Sequence, residues 1–331
     1  MRFDRVYYEP GSLEYPLGRA LKEKFAELPW NPVETHNNIP ELRSMENAAF
    51  AHMKRFLIIG TRKTHKYVEN HKISDYLVPY TSSGCTAMCL YCYLVCNYNK
   101  CAYLRLFVNR EQMLERLIRV SLQGEEPHTF EIGSNSDLVL ENTITGNLVW
   151  TIPEFVRAGR GRLTFPTKFD MVEPLLPLAH GGRVVFRMSV NPADLIRRVE
   201  LGTAPLDRRI AALNQMCAAG YPCGILIAPI MYTPDWRVQY GRLLEQLADE
   251  LSGPVKRQLF MELIFMTYSF IHREINRAAF PAAPELYRSD WMVGRGRGKY
   301  AYRPAIRAEM EEFLRAGLAR LLPEARIVYV S

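Results

Sequence analysis

The stretch Ser83-Gly84-Cys85-Thr86-Ala87-Met88-Cys89-Leu90-Tyr91-Cys92-Tyr93 sets three cysteines in a C-x3-C-x2-C pattern shortly after a strand-like run, Tyr76–Tyr80. Three thiolates so close in sequence suit a soft, sulfur-seeking iron centre. A 4Fe–4S cluster ordinarily takes four cysteine thiolates. With three, one iron stays open to a small molecule. Gly84 gives the loop entrance the backbone freedom that a tight turn needs. The same residues admit a closed tetrahedral zinc site with Cys96 as fourth ligand. Zinc knuckles, however, pair two separated C-x2-C units, whereas this is one continuous run at a strand end. The cluster fits it better.

Around that motif lie 331 residues, 48% hydrophobic and 23% charged, a composition that supports a sizeable core and excludes disorder as the dominant state. Five of the seven cysteines fall between Cys85 and Cys101. In an unsecreted chain such clustering points to metal or redox chemistry, not to a disulfide scaffold. Met1-Arg2-Phe3-Asp4-Arg5 leads into no apolar signal core, and no apolar run reaches the roughly 18–20 residues of a membrane span. A cytoplasmic protein without a membrane partner is expected. Lys plus Arg number 42 against 35 Asp plus Glu, a net charge of +7. That excess allows a phosphate-rich partner without requiring one.

The chain reads in three parts: a cap over residues 1–74, a central part over 75–265 and a C-terminal part over 266–331. In the cap, Tyr15–Phe25 has helical apolar spacing, Phe56–Thr61 looks like a strand, and Asn31–Ser44 is polar and Pro-containing, hence loop. From Asp75 short apolar runs alternate with helical stretches. The runs are Tyr76–Tyr80, Leu104–Val108, Thr129–Ile132, Arg162–Phe165, Val184–Val190, Gly224–Ile230 and Gln258–Phe265. Helical patterns fall near Arg110–Leu122, Thr151–Ala158, Met171–Ala179, Pro205–Ala219 and Trp236–Leu251. This alternation predicts an α/β fold of βαβ units, an incomplete (β/α)6-type barrel with its chemistry at the C-terminal strand ends. The last part holds an Arg/Gly/Tyr-rich segment, 294–303, that reads as a β-hairpin, then a helix over Pro304–Leu322 and a strand-like Ala325–Val330.

The cysteine spacing with an aromatic before the third cysteine, here Tyr91, resembles the radical S-adenosylmethionine superfamily. The rest of the chain narrows the resemblance to the spore photoproduct lyase family. It is carried by Val6-Tyr-Tyr-Glu-Pro10, Glu14-Tyr-Pro-Leu-Gly18, Gly60-Thr-Arg-Lys63, Cys92-Tyr-Leu94, Tyr103-Leu-Arg-Leu-Phe-Val-Asn109, Ser136-Asp137 and Thr167-Lys168. Phe186-Arg187 with Ser189 and Asn191, Ala228-Pro-Ile230, Glu262-Leu-Ile264 and Gly298-Lys-Tyr-Ala-Tyr-Arg303 continue it. The resemblance implies a radical SAM barrel and a DNA repair lyase. A 5′-deoxyadenosyl radical would split the methylene-bridged thymine dimer to two thymines. Cys85, Cys89 and Cys92 would hold the 4Fe–4S cluster, and Ser136, Lys168, Ser189, Asn191 and Ala228 would hold S-adenosylmethionine. Tyr91 and Tyr93 match a tyrosine pair that helps return a hydrogen atom. Arg295, Arg297, Lys299 and Arg303 would meet DNA phosphates, and Tyr300 and Tyr302 would wedge or stack. Lesion-containing DNA and an electron donor such as flavodoxin or ferredoxin are the implied partners of a monomer.

One position departs from the pattern. The family's hydrogen-donor cysteine should stand two residues before the serine of Ser136-Asp137, and Ser134 occupies that place. A serine O–H bond is much stronger than a cysteine S–H bond, so Ser134 is a poor hydrogen-atom donor. Cys96 and Cys101 are the nearest thiols in sequence, and Cys96 is the candidate substitute. Two other readings stay open at this point: a related radical enzyme acting on another nucleic-acid lesion or substrate, and a zinc-stapled nucleic-acid-binding module.

Overall fold

The computed structural model describes residues 2–97 and 102–331, without the side chains of Cys96 and Asn97, so the thiols of Cys96 and Cys101 lie outside the described residues. The chain divides into two compact units, one of Met1–Met88, Leu94–Phe165 and Pro177–Val184, the other of Cys89–Tyr93, Pro166–Leu176 and Val185–Ser331.

In the first unit a five-stranded sheet runs in the order Trp30–Pro32, Arg5–Tyr8, Phe56–Gly60, Leu104–Phe107, Ser82–Ser83. The first four strands are parallel, and Ser82–Ser83 pairs antiparallel with Leu104–Phe107. Val6, Leu57, Ile59, Leu104 and Leu106 from these strands pack with Phe3, Leu17 and Leu21 into one apolar cluster. The sheet thereby pins both ends of the cysteine segment, with Ser82–Ser83 leading in and Leu104–Phe107 leading out. Leu104–Val108, expected in the central alternation, therefore belongs to the sheet of the N-terminal strands. Its residues are buried on both faces, so its pattern carried no sign of which strand it would pair with.

The strands of the larger sheet are β1 (Val68–Glu69), β2 (Tyr76–Val78), β3 (Thr129–Ile132), β4 (Arg162–Thr167), β5 (Val184–Val190), β6 (Cys223–Ile230), β7 (Phe260–Phe265) and β8 (Arg326–Val330). They lie side by side in chain order. β1 and β2 form an antiparallel edge, and the pairings from β2 to β4 and from β5 to β8 are parallel. Each parallel step needs a crossover, which helices supply. Leu138–Thr145 and Asn147–Ala158 join β3 to β4, Ala193–Val199 and Leu206–Ala218 join β5 to β6, and Trp236–Glu250 leads from β6 toward β7. All seven residues of β5 are buried.

The helix expected over Met171–Ala179 is only a 3-10 turn, Glu173–Leu175. Pro174 and Pro177 remove the amide donors a helix would need there. The expected loop Asn31–Ser44 holds the end of a strand and a short helix, Pro40–Ser44. The helices Leu138–Thr145, Ala193–Val199 and Phe270–Ala279 were not anticipated. Among the described residues, no helix is long and apolar enough to cross a membrane.

Candidate active site

The cysteine loop opens where only glycine fits. Gly84 has φ +75, and a Cβ there would stand 1.9 Å from the Tyr103 carbonyl oxygen. Its amide donates to Asn135 O at 2.7 Å, and Gly84 bridges to Ser136. The buried Lys54 donates from Nζ to Cys85 O at 2.8 Å and to Ala102 O at 3.1 Å. In the second unit, His272 Nε2 lies 2.8 Å from Cys92 O, Asn276 Nδ2 donates to Leu90 O at 2.7 Å, and Leu90 N–H donates to Val199 O at 3.0 Å. Burial holds the His272 imidazole below its ordinary value, against the pull of the Cys92 carbonyl. The loop backbone is thus heavily tethered, while Cys85, Cys89 and Cys92 are partly exposed and in no disulfide. Among the described residues, no three His, Cys, Asp or Glu side chains are gathered around a single-ion site. The fit to an iron–sulfur cluster rests on donor chemistry: three soft thiol ligands on one anchored loop, with no carboxylate or imidazole between them in sequence.

The turn Gly133–Ser136 follows β3, closed by Ser136 N–H to Gly133 O at 3.1 Å. Ser82 Oγ donates to Glu141 Oε2 at 2.5 Å and lies 2.7 Å from Ser136 Oγ. Thr81 and Asn147 also donate to the fully buried Glu141. Burial pushes the Glu141 carboxyl up, and the bonds from Ser82, Asn147 and Thr81 oppose it. The partly exposed Ser134 therefore sits in a turn tied to the residues that precede Cys85.

Lys168, Ser189 and Ala228 come together at the ends of β4, β5 and β6. Lys168 Nζ donates to Ser189 Oγ at 2.7 Å, to Ala228 O at 2.7 Å and to Glu200 Oε1 at 3.1 Å. Glu200 was not anticipated, nor was Arg209, which donates to Glu200 Oε2 at 2.7 Å. Asn191 Nδ2 donates to Glu200 Oε1 at 2.8 Å, and the Tyr91 hydroxyl donates to the same oxygen. Lys168 Nζ also lies 5.6 Å from the centre of the Tyr91 ring. Burial pushes the Glu200 carboxyl up, but Lys168 and Arg209, with the bonds from Tyr91 and Asn191, bring it down to about 2. Burial first, and then the Glu200 charge, hold the Tyr91 phenol well above its ordinary value. Two cations face one carboxylate here, so the group of three is net positive, and only Lys168 is partly open to solvent (an anionic ligand is what such a site accepts). One sequence signal pointed to this centre. Arg209 occupies the buried face of Leu206–Ala218 with Ile210 and Leu213, and a charge on such a face needs a buried partner.

The segment 294–303 forms the expected hairpin. Met292–Gly294 pairs antiparallel with Lys299–Tyr302, and Thr267–Ser269 pairs on the other side. Arg295 N–H donates to Lys299 O at 2.8 Å. Gly296, Arg297 and Gly298 are all left-handed at the tip. Arg295, Arg297 and Lys299 are exposed. One residue expected to wedge or stack on DNA is placed otherwise. Tyr302 is 3% exposed and accepts from Tyr232 N–H at 2.8 Å, so it packs inside and has no free face to stack on a base. Arg303 is exposed and donates to Asp290 O at 2.9 Å and Ser289 O at 3.1 Å. Of the tyrosine pair, Tyr93 is half exposed and Tyr91 partly buried.

Comparison with known proteins then extends over the whole chain. The family model described as spore photoproduct lyase matches residues 1–331. The spore photoproduct lyase of Bacillus subtilis (strain 168) is 34% identical over 338 residues, covering 98% of this chain and 97% of that protein. That of Geobacillus sp. (strain Y412MC61) is 33% identical, covering 98% of each. Among solved structures, a double mutant of spore photoproduct lyase with bound AdoMet and dinucleoside spore photoproduct matches with a TM-score of 0.91 at 30% identity, covering 99% of both chains.

Proposed function

The chain belongs to the spore photoproduct lyase family, and from that premise we propose a role for each of its sites. It is a radical S-adenosylmethionine lyase of DNA repair, with an α/β fold and an eight-stranded half-barrel sheet. The 4Fe–4S cluster and S-adenosylmethionine, when bound, supply the hard chemistry, a one-electron cleavage that yields a 5′-deoxyadenosyl radical.

Cys85, Cys89 and Cys92 hold the cluster. Lys168 pairs with the carboxylate of S-adenosylmethionine, and Ser136, Ser189, Asn191 and Ala228 complete its cradle. Tyr91 and Tyr93 serve hydrogen return. Ser134 stands where the family has a donor cysteine, so the donor lies elsewhere, and Cys96 and the two tyrosines are the candidates. Arg295, Arg297 and Lys299 take DNA phosphates. Residues 75–265 form an incomplete (β/α)6-type barrel, 1–74 its cap and 266–331 the DNA-contacting part. The protein acts as a cytoplasmic monomer with a flavodoxin- or ferredoxin-type reductant.

The observation that carries this reading is the convergence of Lys168 Nζ on Ser189 Oγ and Ala228 O. Three positions far apart in sequence thereby form one cationic corner at adjoining strand ends. Titrating S-adenosylmethionine into the reconstituted protein tests it. Binding that weakens on Lys168→Ala is expected, and binding indifferent to that change would remove the assignment.

A further inference from the structure

The helix Phe270–Ala279 starts beside the hairpin tip. Ser269 pairs with Lys299 in the three-stranded sheet and caps the helix by accepting from His272 N–H. Phe270 N–H donates to Gly298 O at 3.4 Å. The first helical turn therefore presents Phe270 and Ile271 next to Arg295, Arg297 and Lys299. Both apolar residues stay exposed, Phe270 at 44% and Ile271 at 48%. Phe270 does not swing freely. Its ring meets Tyr300 edge-on at 4.9 Å, and Tyr300 in turn meets Tyr287 at 4.8 Å. The three rings pack together behind Phe270.

The neighbouring charges divide into two sets. Arg273 and Arg277 are paired with Glu285, and Arg303 donates to two backbone carbonyls. Among the described residues, Arg295, Arg297 and Lys299 make no ion pair with a carboxylate. A rigid apolar knob flanked by three such cations is complementary to a base step between phosphates: the cations seat on the backbone and the knob enters the stack.

We infer that Phe270 and Ile271 are the wedge that opens the base stack of damaged duplex DNA, with Tyr300 as their buttress and Arg295, Arg297 and Lys299 on the flanking phosphates. This rests on the DNA-lesion reading above and relocates the wedge from the hairpin tyrosines to the adjoining helix. A lesion inside a duplex must be turned out before a buried radical reaches it, whereas a free dinucleoside needs no such step.

The experiment compares holoprotein on two substrates, the dinucleoside spore photoproduct and a duplex oligonucleotide carrying it beside 2-aminopurine. Wild type is expected to raise the 2-aminopurine fluorescence on binding. In Phe270→Ala/Ile271→Ala that rise is abolished, and the ratio of duplex to dinucleoside repair falls by about tenfold or more, the worth of one base stacked on an aromatic ring. Ile271→Glu alone gives the same direction if the double variant folds poorly, and Phe270→Leu restores most of the signal. An undiminished fluorescence rise with an unchanged ratio in Ile271→Glu overturns the inference. Wild-type protein that opens the duplex yet leaves the free dinucleoside intact counts against the lyase reading, not the wedge.

Discussion

Lys168 Nζ stands 3.1 Å from a carboxylate oxygen of Glu200, whose side chain is wholly buried. Arg209 holds the other oxygen at 2.7 Å. The pair fixes where the ammonium of Lys168 points, and so links a buried charge network to the proposed cofactor pocket. Removing the carboxylate leaves two cations short of an anion in low dielectric, the arrangement that costs most in a buried network.

Glu200→Gln should therefore lower the unfolding free energy by about 3–5 kcal/mol at neutral pH, the usual cost of breaking a buried ion pair. It should also change the acid response. The folded-state pKa lies near 2 against an ordinary 4.5. Between those values the unfolded chain binds the proton and the folded one does not, so wild type loses stability as pH falls through that window, by at most about 1.4 kcal/mol per pH unit from this group. Urea midpoints measured across the window should show that component in wild type and not in Glu200→Gln.

Lys168→Ala should weaken S-adenosylmethionine binding by about 10- to 100-fold, the worth of a charge-assisted hydrogen bond. Equilibrium dialysis with the reconstituted protein measures it. A smaller loss for S-adenosylmethionine than for an analogue lacking the carboxylate would contradict the assignment of that contact.

These two effects centre on residues of unequal visibility in the sequence. Lys168, Ser189 and Ala228 stand out in the sequence as strand-end positions, and the structure brings them together. Glu200 does not stand out: it follows a short helix, Ala193–Val199, that lacks a strong cap or a long amphipathic pattern. Its importance comes from Lys168 and Arg209, brought to it from other elements. The main strands were legible from their apolar runs, but not their partners, as Leu104–Phe107 shows by pairing with Phe56–Gly60. Tyr302 illustrates the same limit. Its motif placed it on the hairpin, but only the neighbouring Tyr232 backbone decided that it faces inward.

Ser134→Cys supplies an S–H bond weak enough to quench a thymine radical. It should raise several-fold the yield of restored thymidines per S-adenosylmethionine consumed, read by chromatography of the products from the dinucleoside. Cys96→Ala should lower that yield if Cys96 is the native donor. An unchanged product profile in Cys96→Ala leaves Tyr91 and Tyr93 as the donors, and Tyr91→Phe then becomes the discriminating variant.

Arg295→Ala, Arg297→Ala and Lys299→Ala should each weaken DNA binding to a similar extent on any sequence. Each should flatten the plot of log affinity against log salt by about 0.9, because each variant neutralises one phosphate fewer. Arg303→Ala, whose guanidinium is already held by Asp290 O and Ser289 O, should leave that slope nearly intact. Fluorescence anisotropy over a salt series distinguishes the two groups.

The most direct measurement supplies anaerobically reconstituted wild-type protein with S-adenosylmethionine, a low-potential reductant and the dinucleoside spore photoproduct. The account predicts release of two thymidines from each dinucleoside, formed only while Cys85, Cys89 and Cys92 are all present. Cleavage of S-adenosylmethionine with the dimer returned unchanged would contradict it.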